Sequence, residues 1–186
     1  MPSLRNAMRR LASETSLPSS TFTIPSNGII SEQGAKKAFN QPIHIECSED
    51  YATFWEILST NLMKTYQATP VHTLEEIKLL HARFPESIKL YVALQEDGKM
   101  LGGTLLYITP KVVHTQYISA SEEGKQKHAL DALFMQLIQQ EYKDWDYFDF
   151  GTSNENGGKV LNTSLIYQKE GFGGRGVVYD TYEWEL

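Results

Sequence analysis

Cysteine is almost absent: Cys47 is the single one in 186 residues. No internal disulfide can form, and a reducing, cytoplasmic setting is the simpler reading. Long apolar runs are missing too, with nothing near the roughly 18 residues of a membrane span, so the chain reads as soluble. Positive charge is in deficit, 17 Lys and Arg against 23 Asp and Glu, for a net charge of −6 and a pI near 5.4. That balance argues against a dedicated nucleic-acid binder and leaves room only for a local basic patch. Metal-ligand spacing is lacking as well. His72 and His81 stand too far apart for a helical pair and Cys47 has no partner, so no metal is expected.

What is present divides at about residue 40. Residues 1–40 open with Leu4, Met8 and Leu11 at helical spacing beside Arg5, Arg9 and Arg10, the pattern of a short basic amphipathic helix. Ser16, Pro18, Ser19, Ser20, Pro25, Ser26, Asn27 and Gly28 follow and read as an extended linker. The Arg- and Ser-rich start, with Glu14 its only acid before Glu32, fits either a packing arm or an organelle transit peptide. Residues 41–186 carry an αβ pattern long enough for one full core.

In that second part Ile43 to Glu46 alternates as a short strand, and Ser48 is placed to cap a helix with Phe54, Trp55, Leu58 and Leu62 inward. Thr73 and Glu76 form a capping box for a second helix. Lys89–Leu94 and Met100–Ile108 make a hairpin across Asp97-Gly98. Gly102-Gly103 inside the return strand marks a close approach. A third strand, Val112–Ala120, leads into one long helix from Ser121 to about Lys143, with Leu130, Leu133, Phe134, Leu137 and Ile138 on its inner face. A last strand is expected over Val177–Trp184. The order predicts an α/β (α+β) fold, a mixed, mostly antiparallel twisted sheet with helices on both faces.

The stretch Trp145 to Gly176 organises the rest. Tyr147, Phe148 and Phe150 form a strand holding Asp149; a turn-rich loop follows, where Asn154 and Asn156 are candidate caps. The next helix carries Val160, Leu161, Leu165 and Tyr167, and Gly171 stops it. Strand, polar loop and helix in that order open a cleft at the strand's carboxyl end. The segment LIYQKEGFGG resembles the last helix of the GNAT acyltransferase superfamily, with a Tyr five residues before the Phe of a closing Gly-Phe, here Tyr167 and Gly171-Phe172. YFDFG together with KEGFGG is similar to the second domain of Fem-type peptidyltransferases and their FemAB-like relatives.

The resemblance implies transfer of an acyl or aminoacyl group to an amine on a small molecule or peptide. The donor expected is acyl-CoA (acetyl-CoA), as the wider superfamily implies; the alternative is aminoacyl-tRNA, as the Fem pattern implies, against which the net acidity counts. It also implies an earlier partner domain, or a homodimer in its place, and makes Tyr167 the general acid. From the residues alone Tyr167 is equally a half-buried core aromatic. His114 is a general-base candidate or a packing residue, and Asp149 either meets a donor across the sheet or points into the site. Strict alternation puts His114, Gln116 and Ile118 on one face, Thr115, Tyr117 and Ser119 on the other. Gln116, Tyr117, Ile118 and Ser119 of this strand, Gly124 and Lys125 of the next helix start, and Asn154 and Asn156 are the donor-binding candidates. Glu122 and Glu123 crowd the place where a pyrophosphate would dock, and Ser119 with Glu122 makes a capping box there. A catalytically idle binding module of the same fold is the reading from a different class.

Overall fold

An alternating strand over 89–94 and an apolar one over 100–108 build the centre of a sheet. A computed structural model describes residues 21–25, 42–156 and 158–177. Its elements run β1 (Thr21–Pro25), β2 (Ile43–Ser48), α1 (Tyr51–Tyr66), α2 (Leu74–Arg83), β3 (Ile88–Gln95), β4 (Met100–Ile108) and β5 (Val112–Ala120). There follow α3 (Glu122–Gln126), α4 (Ala129–Gln136), a π-helical turn (Leu137–Glu141), β6 (Tyr147–Thr152), β7 (Asn154–Glu155), β8 (Val160–Leu161), α5 (Thr163–Gly171) and β9 (Arg175–Val177). The main sheet has the order β2-β3-β4-β5-β6-β1-β9. Its neighbours pair antiparallel except β5 and β6, which run parallel.

Helices cover both faces. Tyr51, Phe54, Trp55 and Leu58 follow a helical stripe on α1, and with Ile77 of α2 they pack on Leu90, Val92, Leu105 and Tyr107. On the other face Leu133, Phe134 and Leu137 meet Tyr91, Leu106, Val113, Phe148 and Phe150. Each such side chain, once buried, contributes roughly 1.5–3 kcal/mol. β4 lies between the two cores and is buried at every position. Two close approaches make its glycines necessary: a Cβ on Gly102 would lie 2.7 Å from the Ser119 carbonyl oxygen, and one on Gly103 2.6 Å from that of Tyr91.

Several local expectations change. Thr21–Pro25, read as linker, is a strand between β6 and β9. Asp50, not Ser48, caps α1 by accepting from Thr53 N–H. The Thr73–Glu76 capping box is present. The single helix after β5 is three pieces, because His128 takes a left-handed φ of 56° and the chain then widens into the π turn. The expected last strand, Val177–Trp184, meets the described residues only at Val177, where β9 ends; residues 178–186 lie outside the described residues, as does the expected amino-terminal helix. Among the described residues no helix is long and apolar enough to cross a membrane.

Candidate functional site

β5 and β6 pair at only three positions, Val112–Tyr147, Val113–Phe148 and His114–Asp149, and then separate. A β-bulge adds to the divergence. Leu105 pairs with Tyr117 but Leu106 with Thr115, so Gln116 is the extra residue. The bulge resets the alternation assumed from sequence. Tyr117 now shares the α1 side with His114, packing edge-on against Trp55 and bonding to His72, while Ile118 turns to the other core. Serine 119 returns to the α1 side, where Asn61 Nδ2 donates to its Oγ at 2.8 Å.

The gap between the strands is a cavity of about 410 Å³. Its walls come from both sides of the sheet. Leu58, Asn61, Leu62, Thr65 and Tyr66 of α1 close one side; Ile118, Ser119, Ala120 and Phe150 form the strand edges. Lys125, Leu130, Phe134, and Leu165, Gln168, Lys169 and Phe172 at α5 complete it. The Ser121 N–H donates to Leu101 O at 2.8 Å, so the Gly102–Ala120 pair is one whose own amide groups face away from each other. Ala120 therefore turns its N–H and C=O to the gap, and Ile118 two residues earlier does the same. The Ala120 carbonyl accepts from Asn61 Nδ2 at 2.7 Å. The amides of Ile118 and Ala120 thus face the cavity as donors.

Lys169 is the residue that sequence reading missed. It is 6% exposed, and its ammonium donates to the carbonyls of Gly151 at 3.1 Å and Thr152 at 2.6 Å, where β6 ends. Burial pushes its pKa down to about 8, with the nearby Asp149 carboxylate opposing. The sequence did carry a signal: Leu165, Ile166, Lys169 and Phe172 fall on one helical stripe, so a cation interrupts an apolar face.

The presumed donor-binding helix start is closed. Ser121, not Ser119, caps α3, its Oγ accepting Gly124 N–H at 3.0 Å. Glu122 pairs with Lys125 and Lys64, and Glu123 with Lys127 and Lys99, which pull the Glu123 carboxyl down to about 2. Gly124 is a packing glycine: a Cβ there would lie 2.0 Å from the Leu101 carbonyl oxygen. Gly124→Ala is expected to cost about 1–3 kcal/mol through the backbone shift it forces. An unchanged urea midpoint would show that this contact does not constrain α3. The residues at this start do not fit a pyrophosphate, since the Gly124 N–H is taken and two carboxylates stand beside it. Among the described residues no group of three His, Cys, Asp or Glu side chains could hold a metal.

No protein-family model and no curated protein matches the sequence. Solved structures match the fold. FemX superposes with a TM-score of 0.68 at 13% identity, over 92% of this chain and 66% of its own. The fold is GNAT-like, of the FemAB kind. L-PGS from Bacillus licheniformis aligns with a TM-score of 0.55 at 14% identity, over 87% of this chain and 59% of its own. A Clostridium difficile 630 protein described as a possible acetyltransferase gives 0.54 at 15%, over 78% of this chain and 99% of its own. The chain spans less than two thirds of the length of FemX or L-PGS.

Within this GNAT-like frame the predicted residues separate. Ile118, Ser119 and Lys125 line the cavity. His114 and Asp149 meet, Nδ1 to Oδ2 at 2.6 Å, at the apex of the gap rather than on its wall. Tyr117 is tied to His72, Gln116 occupies the bulge, and Gly124 is packed away. Asn154 and Asn156 do not cap α5, whose cap is Asn162; Asn154 lies in the β7–β8 ribbon and Asn156 in its turn. Tyr167 is 78% exposed and is not part of the cavity wall. Two residues from both Leu165 and Lys169, it projects about 200° around α5 from the inward stripe. Arg175, which follows Gly173 and Gly174, donates to the Gly174 carbonyl and is exposed.

Proposed function

We propose that this chain is an acyltransferase, moving an acyl or aminoacyl group from an activated donor to an amine, with Lys169 in the role the resemblance implies for Tyr167. The observation that carries the reading is a cavity opened by two diverging strands, with backbone donors on one wall and a buried ammonium on another. The donor carbonyl would lie against the Ile118 and Ala120 amides, which polarise it and hold the oxyanion that forms when the amine attacks. The bond to the leaving atom then breaks, and Lys169 gives that atom a proton. The proton shed by the new amide nitrogen restores the balance.

The donor class this arrangement favours is an ester, as in an aminoacyl-tRNA. An alkoxide needs a proton on departure, whereas a thiolate, with its thiol pKa near ~8.5, leaves without much help. The closed start of α3 points the same way. Acyl-CoA is the second reading, and the specific observation behind it is Lys125, which lines the cavity while pairing with Glu122.

The purified chain is to be incubated with labelled aminoacyl-tRNA, and separately with labelled acetyl-CoA, over a panel of polyamines and peptide amines. The expected result is label transferred from one donor and a rise in melting temperature with that donor, as mass action requires. Neither transfer nor a thermal shift with either donor would favour the idle binding module.

A further inference from the structure

The gap between β5 and β6 begins at His114 and Asp149, the last paired positions of the two strands. An ionised Asp149 only accepts, so at 2.6 Å the His114 Nδ1 carries the hydrogen and donates it to Oδ2. The other carboxylate oxygen, Oδ1, accepts the Gly151 N–H at 2.9 Å. Gly151 holds a φ of +67°, a left-handed bend that favours glycine, and a Cβ on it would lie 3.5 Å from His114 Cε1. From this bend the Gly151 carbonyl accepts from the Lys169 ammonium, as does the next carbonyl, that of Thr152. The hydrogen bonds therefore link an imidazole on one side of the sheet to the cation in the cavity through a carboxylate and the Gly151 backbone. The N–H and C=O of Gly151 belong to successive peptide units held in one bend.

We propose that His114 is a positioning residue for Lys169, acting through Asp149 and the Gly151 bend. It touches neither the cavity nor Lys169. It fixes the carboxylate, which fixes the bend, which aims the two carbonyls that hold the ammonium. The same carboxylate lies close enough for its charge to favour the protonated amine. Packed against the imidazole are Asp149 of β6 and the buried phenol of Tyr107 on β4. Lys169 shares its cavity with Lys125 of α3 and Tyr66 of α1. The proposal rests on the reading of Lys169 as the reactive cation, but its test does not require turnover.

The test is a ¹³C NMR titration of Lys169 in protein labelled at lysine Cε, with the resonance assigned by its disappearance in Lys169→Arg. Asn at position 114 presents an amide N–H near the place of Nδ1, whereas Gln presents one near Nε2 and Leu presents none. His114→Asn is expected to titrate with the wild type. His114→Gln and His114→Leu are expected to move the Lys169 midpoint by about half a pH unit or more. Asp149→Asn, lacking the favourable charge, moves it downward. A Lys169 midpoint unchanged in both His114→Gln and His114→Leu overturns the proposal, as does an equal shift in Asn and Gln variants. Should Leu fail to fold, the Asn and Gln pair decides. If no donor is ever turned over while the midpoint moves as stated, the acyltransferase reading fails and this inference stands.

Discussion

Lys169→Met is expected to lower the rate of acyl transfer by about 10²–10⁴-fold, the range for a well-placed general acid. Methionine keeps an unbranched stem and removes the charge together with the hydrogen bonds to the Gly151 and Thr152 carbonyls. The pH profile separates loss of an acid from loss of shape. An acid whose pKa lies at about 8 is protonated at neutral pH and spent above it, so wild-type kcat should fall on an alkaline limb centred there. The residual activity of the Met variant should have no such limb. Lys169→Arg keeps the charge at all accessible pH and should abolish the limb too, without restoring the rate, since its planar fork cannot place one donor where the ammonium sits. Stability gives an independent check. A folded pKa depressed from 10.5 to about 8 means the group's contribution is fully present above 10.5 and is lost as pH falls through 8. Wild type should therefore gain on the Met variant between pH 8 and 10.5, by about 3 kcal/mol at most. A flat difference across that range, with kcat unchanged, would remove Lys169 from the mechanism.

Regular pattern is what made the fold legible. Alternation in 89–94, the apolar run 100–108, the Thr73–Glu76 box and the paired glycines of β4 each have a local cause that survives folding. So does the separation of β5 from β6, expected from an aromatic strand entering a polar, glycine-rich loop. His114 and Asp149 were both chosen as candidates, and they are brought together. The failures have physical reasons as well. A β-bulge is one extra residue, and nothing in a period-two pattern marks Gln116 as that residue, so the facing of every position after it was inverted. His128 breaks the long helix in a left-handed conformation that a non-glycine side chain rarely adopts, and apolar spacing continues through the break. Thr21–Pro25 has the β-branched composition of a strand, but its Ser and Pro neighbours suggested a linker. Tyr167 was chosen by its distance from Phe172 along the chain, yet the angle around α5 decides what enters the cavity, and that angle selects Lys169.

Phe134→Ala is expected to cost about 3–5 kcal/mol, a large share of the 5–15 kcal/mol that a domain commonly has. Phe134 is 1% exposed and its ring meets those of Phe148 at 6.1 Å, Phe150 at 5.1 Å and Phe172 at 5.3 Å, all edge-on. It joins α4 to β6 and to the end of α5, so its loss loosens the two elements that bracket Lys169. The same ring lines the cavity, which moderates the penalty. A void made in a sealed core has no means of relief, whereas one opening into an existing cavity can admit water. The cost should accordingly fall toward ~3 kcal/mol. Phe134→Leu, which keeps most of the volume, should cost about 1–2 kcal/mol less than the alanine change. Urea unfolding with an unchanged m-value measures both. A loss below about 1 kcal/mol for alanine would mean that the four rings are not what holds β6 and α5 together. The cavity wall would then have to be held from the α1 side, through Asn61 and the Ala120 carbonyl.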